Sequence, residues 1–303
     1  MSMVEITQLS KRYRTLTAVD GFGMAVETGE IVAVVGPDGA GKTSLFRAVC
    51  GLINFDSGDV TIGGVSVKTD MTAIKPLLGY MPQNFSLYPD LSVEENLQFY
   101  GGLFAVPKNK YADLKERLYR FSGLGPYGTR RAGNLSGGMK QKLALSCALI
   151  HEPKVLVLDE PTTGVDPLSR RQFWDILLSL RRDGATIIVA TPYMDEVALA
   201  DRAVFMHGGR KLAEGTPEQL RQRYHGNIYR LAVEPTADQM TRLACIEGAA
   251  PYRFGAEMHL YAPPDMTVDQ VTARLVECGF GSTPAERIEA SLEDVFIQLM
   301  SAH

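Results

Sequence analysis

The run Gly36-Pro37-Asp38-Gly39-Ala40-Gly41-Lys42-Thr43 matches the pattern GxxxxGK[ST]. Such glycines let a backbone curl until its N–H groups face phosphate oxygens. Lys42 is then placed to reach the β and γ phosphates of a nucleotide, and the Thr43 hydroxyl to ligate Mg2+. A second signal is Asp159-Glu160, two carboxylates directly after the apolar run Val155–Leu158. Asp159 is suited to hold Mg2+ through water, and Glu160 to orient and deprotonate an attacking water. The third is Leu135-Ser136-Gly137-Gly138-Met139-Lys140-Gln141. Ser136 caps a helix there, and Gly137 and Gly138 leave the first-turn N–H groups uncovered, which makes a second anion site. The first site has a helix terminus of its own, so the second serves a nucleotide held elsewhere.

Each signal needs an element to hold it. Ile31–Val35 is a β-branched buried-strand pattern that runs into the glycine loop, and a helix pattern starts at Ser44. Val155–Leu158 is a second buried strand, with its two acids at the carboxyl end, where α/β sheets place ligands. The chain has 303 residues, about two domains' worth. Hydrophobic residues make up 45% and charged residues 22%, which excludes a disordered chain. The net charge of −4 argues against a nucleic-acid binder. No stretch has the ~18 apolar residues of a membrane span. Met1–Ser10 lacks the basic start and apolar run of a secretion signal. Cys50, Cys147, Cys245 and Cys278 form no CxxC pair and read as reduced thiols of a cytoplasmic chain. The character changes near residue 225. From Asn227 the pattern reads β-α-β-β-α-β plus a final helix led by Ser291 and Asp294. The boundaries expected are 1–225 for a nucleotide-binding domain and 226–303 for a small α+β domain, ferredoxin-like in order.

With these motifs in this order, the chain resembles the nucleotide-binding subunit of an ATP-binding-cassette (ABC) transporter. The resemblance covers residues 3 to 225. It implies a P-loop NTPase α/β fold, with a mixed sheet and a helical signature subdomain. It makes Gly36–Thr43 the Walker A loop, Leu135–Gln141 the signature and Val155–Asp159 Walker B. It makes Gln83 the Q-loop glutamine, a further Mg2+ ligand and catalytic group, and Gly164-Val165-Asp166-Pro167 the D-loop, with Asp166 at the nucleotide. Tyr13 falls about where the family stacks an aromatic ring on adenine. ATP and Mg2+ follow as cofactors. The implied partners are a second ATPase domain, meeting this one head to tail, and integral membrane permease subunits. The implied location is the cytoplasmic face of the inner membrane. The apolar residues Phe85, Leu87, Tyr88, Leu97, Phe99 and Tyr100 then offer a partner helix a seat, or pack inside. Leu-Ser-Gly-Gly-Met followed by Lys-Gln-Lys, and the tail Ser291–Phe296, are similar to ABC-2-type exporters. Cys147 and Ser169-Arg170-Arg171 resemble the N-terminal ATPase half of fused, double-ATPase multidrug or cation exporters.

One departure stands out. The family places a switch histidine in Thr-His-Tyr-Met-Asp-Glu, and here Pro192 holds that position in Ala190–Glu196. Proline offers no side-chain donor, and losing one transition-state contact costs on the order of 10² to 10³ in rate. The expectation is an impaired site and asymmetric pairing. A largely non-hydrolysing ATP sensor and a soluble, non-transport ABC ATPase are the alternatives.

Overall fold

Five apolar residues in a row, Ile31–Val35, leave no polar side to the strand they form, and all five are buried. Val155–Asp159 and Thr186–Thr191 are likewise buried at every position. The computed structural model describes residues 2–84 and 87–301. It divides into two units, Met1–Pro217 and Glu218–His303. The strands of the first are β1 (Ser2–Tyr13), β2 (Leu16–Glu27), β3 (Ile31–Val35), β4 (Ser57–Ile62), β5 (Val65–Ser66), β6 (Leu78–Met81), β7 (Val155–Asp159), β8 (Thr186–Thr191), β9 (Arg202–His207) and β10 (Arg210–Gly215). One sheet runs β10-β9-β3-β8-β7-β6 and the other β2-β1-β4-β5. In the first sheet β8 lies between β3 and β7 and parallel to both, with Val35 beside Thr191 and Asp159 beside Ala190. The loops after these three strands therefore leave the same edge. The helix Lys42–Val49 fills the space between the sheets. Its Leu45 and Phe46 share one apolar cluster with Val32 and Val34 of β3 and with Val4, Ile6 and Leu9 of β1. Among the described residues no helix is long and apolar enough to cross a membrane.

The second unit contains β11 (Asn227–Leu231), β12 (Ala250–Phe254), β13 (Glu257–Ala262) and β14 (Ala285–Ile288), in the antiparallel order β12-β13-β11-β14. The helices Ala237–Leu243 and Val268–Glu277 cover one face, packing Leu243, Val271 and Leu275 on Tyr229, Leu231 and Leu260. Side chains alternate across a strand, so His259 and Tyr261 face the other way. There the final helix, Leu292–Ser301, inserts Asp294, which is fully buried. Its carboxylate accepts from the Tyr261 hydroxyl at 3.0 Å and from the Ser291 N–H at 2.8 Å, and lies 3.3 Å from His259 Nδ1. Burial alone would raise Asp294, but the bonds from His259, Ser291 and Tyr261 outweigh it and hold the carboxyl below its ordinary range. A depressed carboxylate stabilises above its unfolded value, and that contribution is lost as pH falls through the folded one. Asp294→Ala is expected to cost about 3 kcal/mol, because it strips a buried partner from His259 and Tyr261. Hydrogen exchange at the Tyr229 and Leu231 amides reads this cost.

Two expectations need correction. The division falls at Pro217, not at 225. Glu218, Arg221 and Gln222 line one cavity with Asn227, Ile228 and Arg287, so this segment packs with the second unit. A short helix, Pro217–Arg221, opens it. The cysteines are not all thiols, since Cys245 and Cys278 form a disulfide with Cα atoms 6.7 Å apart. The pairing joins the ends of the two helices that share one sheet face, a proximity their spacing in the chain does not reveal. Cys50 and Cys147 are buried free thiols, and burial pushes both up.

Candidate functional site

Gly36 and Gly41 are glycines because the loop threads between two strands. A Cβ on Gly36 would stand 2.2 Å from the Met206 carbonyl of β9, and one on Gly41 2.0 Å from the Ala18 carbonyl of β2. Gly41 also has φ 103°, and Gly39 φ 81°. Ala40 is buried and tied by the Gly209 N–H, while Pro37, Asp38 and Gly39 are exposed. Gly41 caps the helix Lys42–Val49 with no side-chain bond, so its first-turn N–H groups, at Thr43 and Ser44, have no side-chain cap. Gly41→Ala is expected to weaken ATP binding about 100-fold, from roughly 3 kcal/mol of backbone strain. A fluorescent ATP analogue titrated into the purified chain measures it.

Lys42 is buried, and its ammonium donates to the Gly36 carbonyl at 2.7 Å and the Pro37 carbonyl at 3.1 Å. It also pairs with Glu160 Oε1 at 3.1 Å. Glu160 Oε2 accepts from Gln83 Nε2 at 2.9 Å and from the Thr163 hydroxyl at 3.3 Å. Thr163 has no role in the sequence reading. Its hydroxyl, three residues beyond Glu160 on a tight turn, was the available signal. Asp159 is fully buried, and one oxygen accepts from Thr43 at 3.3 Å. The other oxygen has no hydrogen-bond partner among the described residues. Burial pushes Asp159 up, the Thr43 hydroxyl draws it down, and the Glu160 charge pushes it up again. A buried, unpartnered carboxylate oxygen beside a hydroxyl and a second carboxylate fits a hard divalent cation such as Mg2+.

The remaining predicted residues fall into two groups. Tyr13 ends β1, half exposed, opposite Leu16, with the Lys11 ammonium 5.0 Å from its ring centre. The following strand carries Ala18 over Gly41, so the hairpin end belongs to the loop side. Ser136 caps the helix Gly137–Leu149, accepting from the Met139 N–H at 3.4 Å. Gly138 has no room for a Cβ, which would lie 2.7 Å from Ser169. Asp166 caps the helix Pro167–Arg182 and accepts from the Ser169 N–H at 2.9 Å. Ser136, Gly137, Gly138 and Asp166 thus gather at two adjoining helix starts. Among the described residues no hydrogen bond or ion pair joins them to Gly36–Thr43 or to Glu160. Asp166 makes a capping bond and not a bond to this chain's own loop.

Pro192 follows β8 directly and is exposed. Its strand lies between the strands that deliver Gly36 and Asp159. The apolar stripe divides. Leu87 and Leu97 are buried, whereas Tyr88 and Phe99 are exposed and meet edge to face at 4.7 Å. Phe85 lies outside the described residues. Leu87 and Tyr100 line a groove of about 910 Å3 with Leu52, Met71, Tyr80 and Phe104.

A glycine loop feeding a helix, with a lysine and two strand-end acids beneath it, defines a P-loop nucleotide site. The family described as ABC transporter matches residues 19–163. The probable multidrug ABC transporter ATP-binding protein YbhF of Escherichia coli (strain K12) is 42% identical over 230 residues, or 75% of this chain and 40% of that protein. The Nod factor export ATP-binding protein I of Rhizobium etli is 38% identical over 221 residues, covering 73% of this chain and 70% of that one. A solved ATP-binding subunit of an ABC transporter superposes with a TM-score of 0.67 at 27% identity, covering 73% of this chain and 93% of that one. The chain belongs to the ABC transporter family, whose ATP-binding cassettes bind ATP with Mg2+ and hydrolyse it. It spans well under half the length of the Escherichia coli relative.

Proposed function

We propose that the chain is the ATP-hydrolysing subunit of an ABC-2-type exporter, working with a second ATPase domain and with membrane permease subunits on the cytoplasmic face of the inner membrane. The observation that carries this is the buried cluster of Lys42, Asp159 and Glu160 below the glycine loop, with the exposed Gln83 bonded to Glu160. The 40% coverage of the Escherichia coli relative supports descent from one half of a double-ATPase subunit.

Lys42 bonds two carbonyls of the loop and Glu160, so an arriving polyphosphate competes for its ammonium. Glu160, released from that pair, accepts a proton from water. The water oxygen bonds to the γ phosphorus, the bond to the β-phosphate bridging oxygen breaks, and ADP leaves with the electron pair. Mg2+, held by Thr43, Asp159 and Gln83, neutralises charge on the phosphate oxygens when bound. The glycines of the phosphate loop hold the nucleotide in place, and Tyr13 stacks on its base. Ser136, Gly137, Gly138 and Asp166 stand apart from this chain's own loop, which supports their closing a partner's site. The groove beside Leu87 and Tyr100 supports docking of a short permease helix.

Pro192 supports unequal sites, with slow turnover on this chain's own loop. The test is Mg2+-ATP turnover of the purified chain, alone and after cofractionation with membranes. Fast turnover by a homodimer would remove the asymmetry. ATP binding with no turnover in the full complex would favour a sensor over an engine, and recovery with ribosomes a soluble ATPase.

A further inference from the structure

Glu196 is 3% exposed, an unusual place for a carboxylate at the start of a short helix. Three separate segments reach it. The Thr191 hydroxyl, at the end of β8, donates to Oε2 at 2.5 Å. The Thr162 hydroxyl, two residues beyond Glu160, donates to the same oxygen at 3.0 Å. From the helix Pro167–Arg182, the Arg170 guanidinium lies 3.7 Å from Oε1 and stacks 4.0 Å over the Tyr193 ring. Trp174 of that helix, the one tryptophan in the chain, points its indole N–H toward the carboxylate without completing a hydrogen bond. Burial pushes Glu196 up, and the two threonine hydroxyls draw it back.

The turn that these bonds hold is strained. Glu160 is not glycine, yet its φ is 51°. Such a residue persists only when its surroundings fix it from several sides. One side is the Glu160 N–H, which donates to the Ala190 carbonyl of β8 at 3.1 Å. The other is Thr162, held by Glu196.

We propose that Glu196 is a positioning residue: it fixes the turn carrying Glu160 and ties it to the Pro192 segment and to the helix that follows Asp166. The proposal rests on the ATPase reading above. Among the described residues no hydrogen bond or ion pair joins Glu196 to the loop Gly36–Thr43, so it acts through Glu160 and not on nucleotide affinity. When Lys42 leaves Glu160 for a phosphate, the displacement of the turn passes through Thr162 to Glu196 and to the neighbouring indole.

The test uses the whole chain as wild type, Thr162→Val, Thr162→Ser and Glu196→Gln. Each is titrated with a fluorescent ATP analogue, assayed for kcat and KM, and followed by tryptophan emission as Mg2+-ATP is added. Thr162→Val keeps the shape and removes the donor. It is expected to lower kcat about 10-fold or more with KM within twofold, and to abolish the nucleotide-induced emission change. Thr162→Ser restores both, and Glu196→Gln behaves like Thr162→Val. A Thr162→Val chain with wild-type kcat and emission change overturns the proposal. So does a loss that Thr162→Ser fails to restore, which marks a packing effect only. Where wild-type turnover is too slow to assay, the emission change decides alone. A wild type that binds no ATP overturns the functional reading, and this one with it.

Discussion

Glu160→Gln is expected to lower Mg2+-ATP turnover about a thousandfold while ATP binding stays within a few-fold of wild type. Glutamine keeps the length of the side chain and a carbonyl oxygen that can accept from Gln83 and Thr163. It loses the charge that takes a proton from water, and a positioned base contributes about 10² to 10⁴ in rate. Lys42 keeps its bonds to Gly36 and Pro37, so the loop retains its shape. Binding does not suffer, because the lost carboxylate competed with phosphate for the same ammonium. Phosphate release and analogue binding, measured on one preparation, separate the two effects. Turnover that survives the substitution would assign the base to another residue.

Pro192→His is expected to raise turnover about 100-fold over a slow wild type. Position 192 leaves β8 at the same sheet edge as the phosphate loop and the acids of β7, so a donor there starts from between Gly36 and Glu160. Supplying one preorganised donor to a transition-state oxyanion recovers what removing one costs, 10² to 10³. Proline in this place is not needed by the fold, since Tyr193 N–H bonds the Thr191 hydroxyl and Arg170 holds the Tyr193 ring. Adding Glu160→Gln to Pro192→His should cancel the gain. A wild type that already turns over quickly, with no change on Pro192→His, would mean that this site works without a donor at 192.

The phosphate loop, the paired acids and the capped glycine helix were legible because each couples a residue type to one backbone need. Glycines at 36 and 41 admit passing carbonyls, and a strand as apolar as Val155–Leu158 has one reason to end in two acids. The strands at Ile31–Val35 and Val155–Leu158 were equally plain, being apolar on every side. Contacts across the fold were not legible. Nothing local pairs Cys245 with Cys278, or sends Glu196 to Thr162. Asp166 was legible as part of its motif, but not as the cap of its own helix, where it accepts from the Ser169 N–H. Nor does anything local tie His225 to Gln298, whose side chain bonds both the N–H and the carbonyl of His225.

The pairing of Lys42 with Glu160 also bears on how the site captures its ligand. Lys42 and Arg47 stand against Asp159 and Glu160, so these side-chain charges cancel and offer an approaching polyanion no net attraction at long range. Electrostatic steering is absent from such an encounter. Nucleotide and divalent cation arrive best as one neutralised complex, and association with that complex should change little with ionic strength.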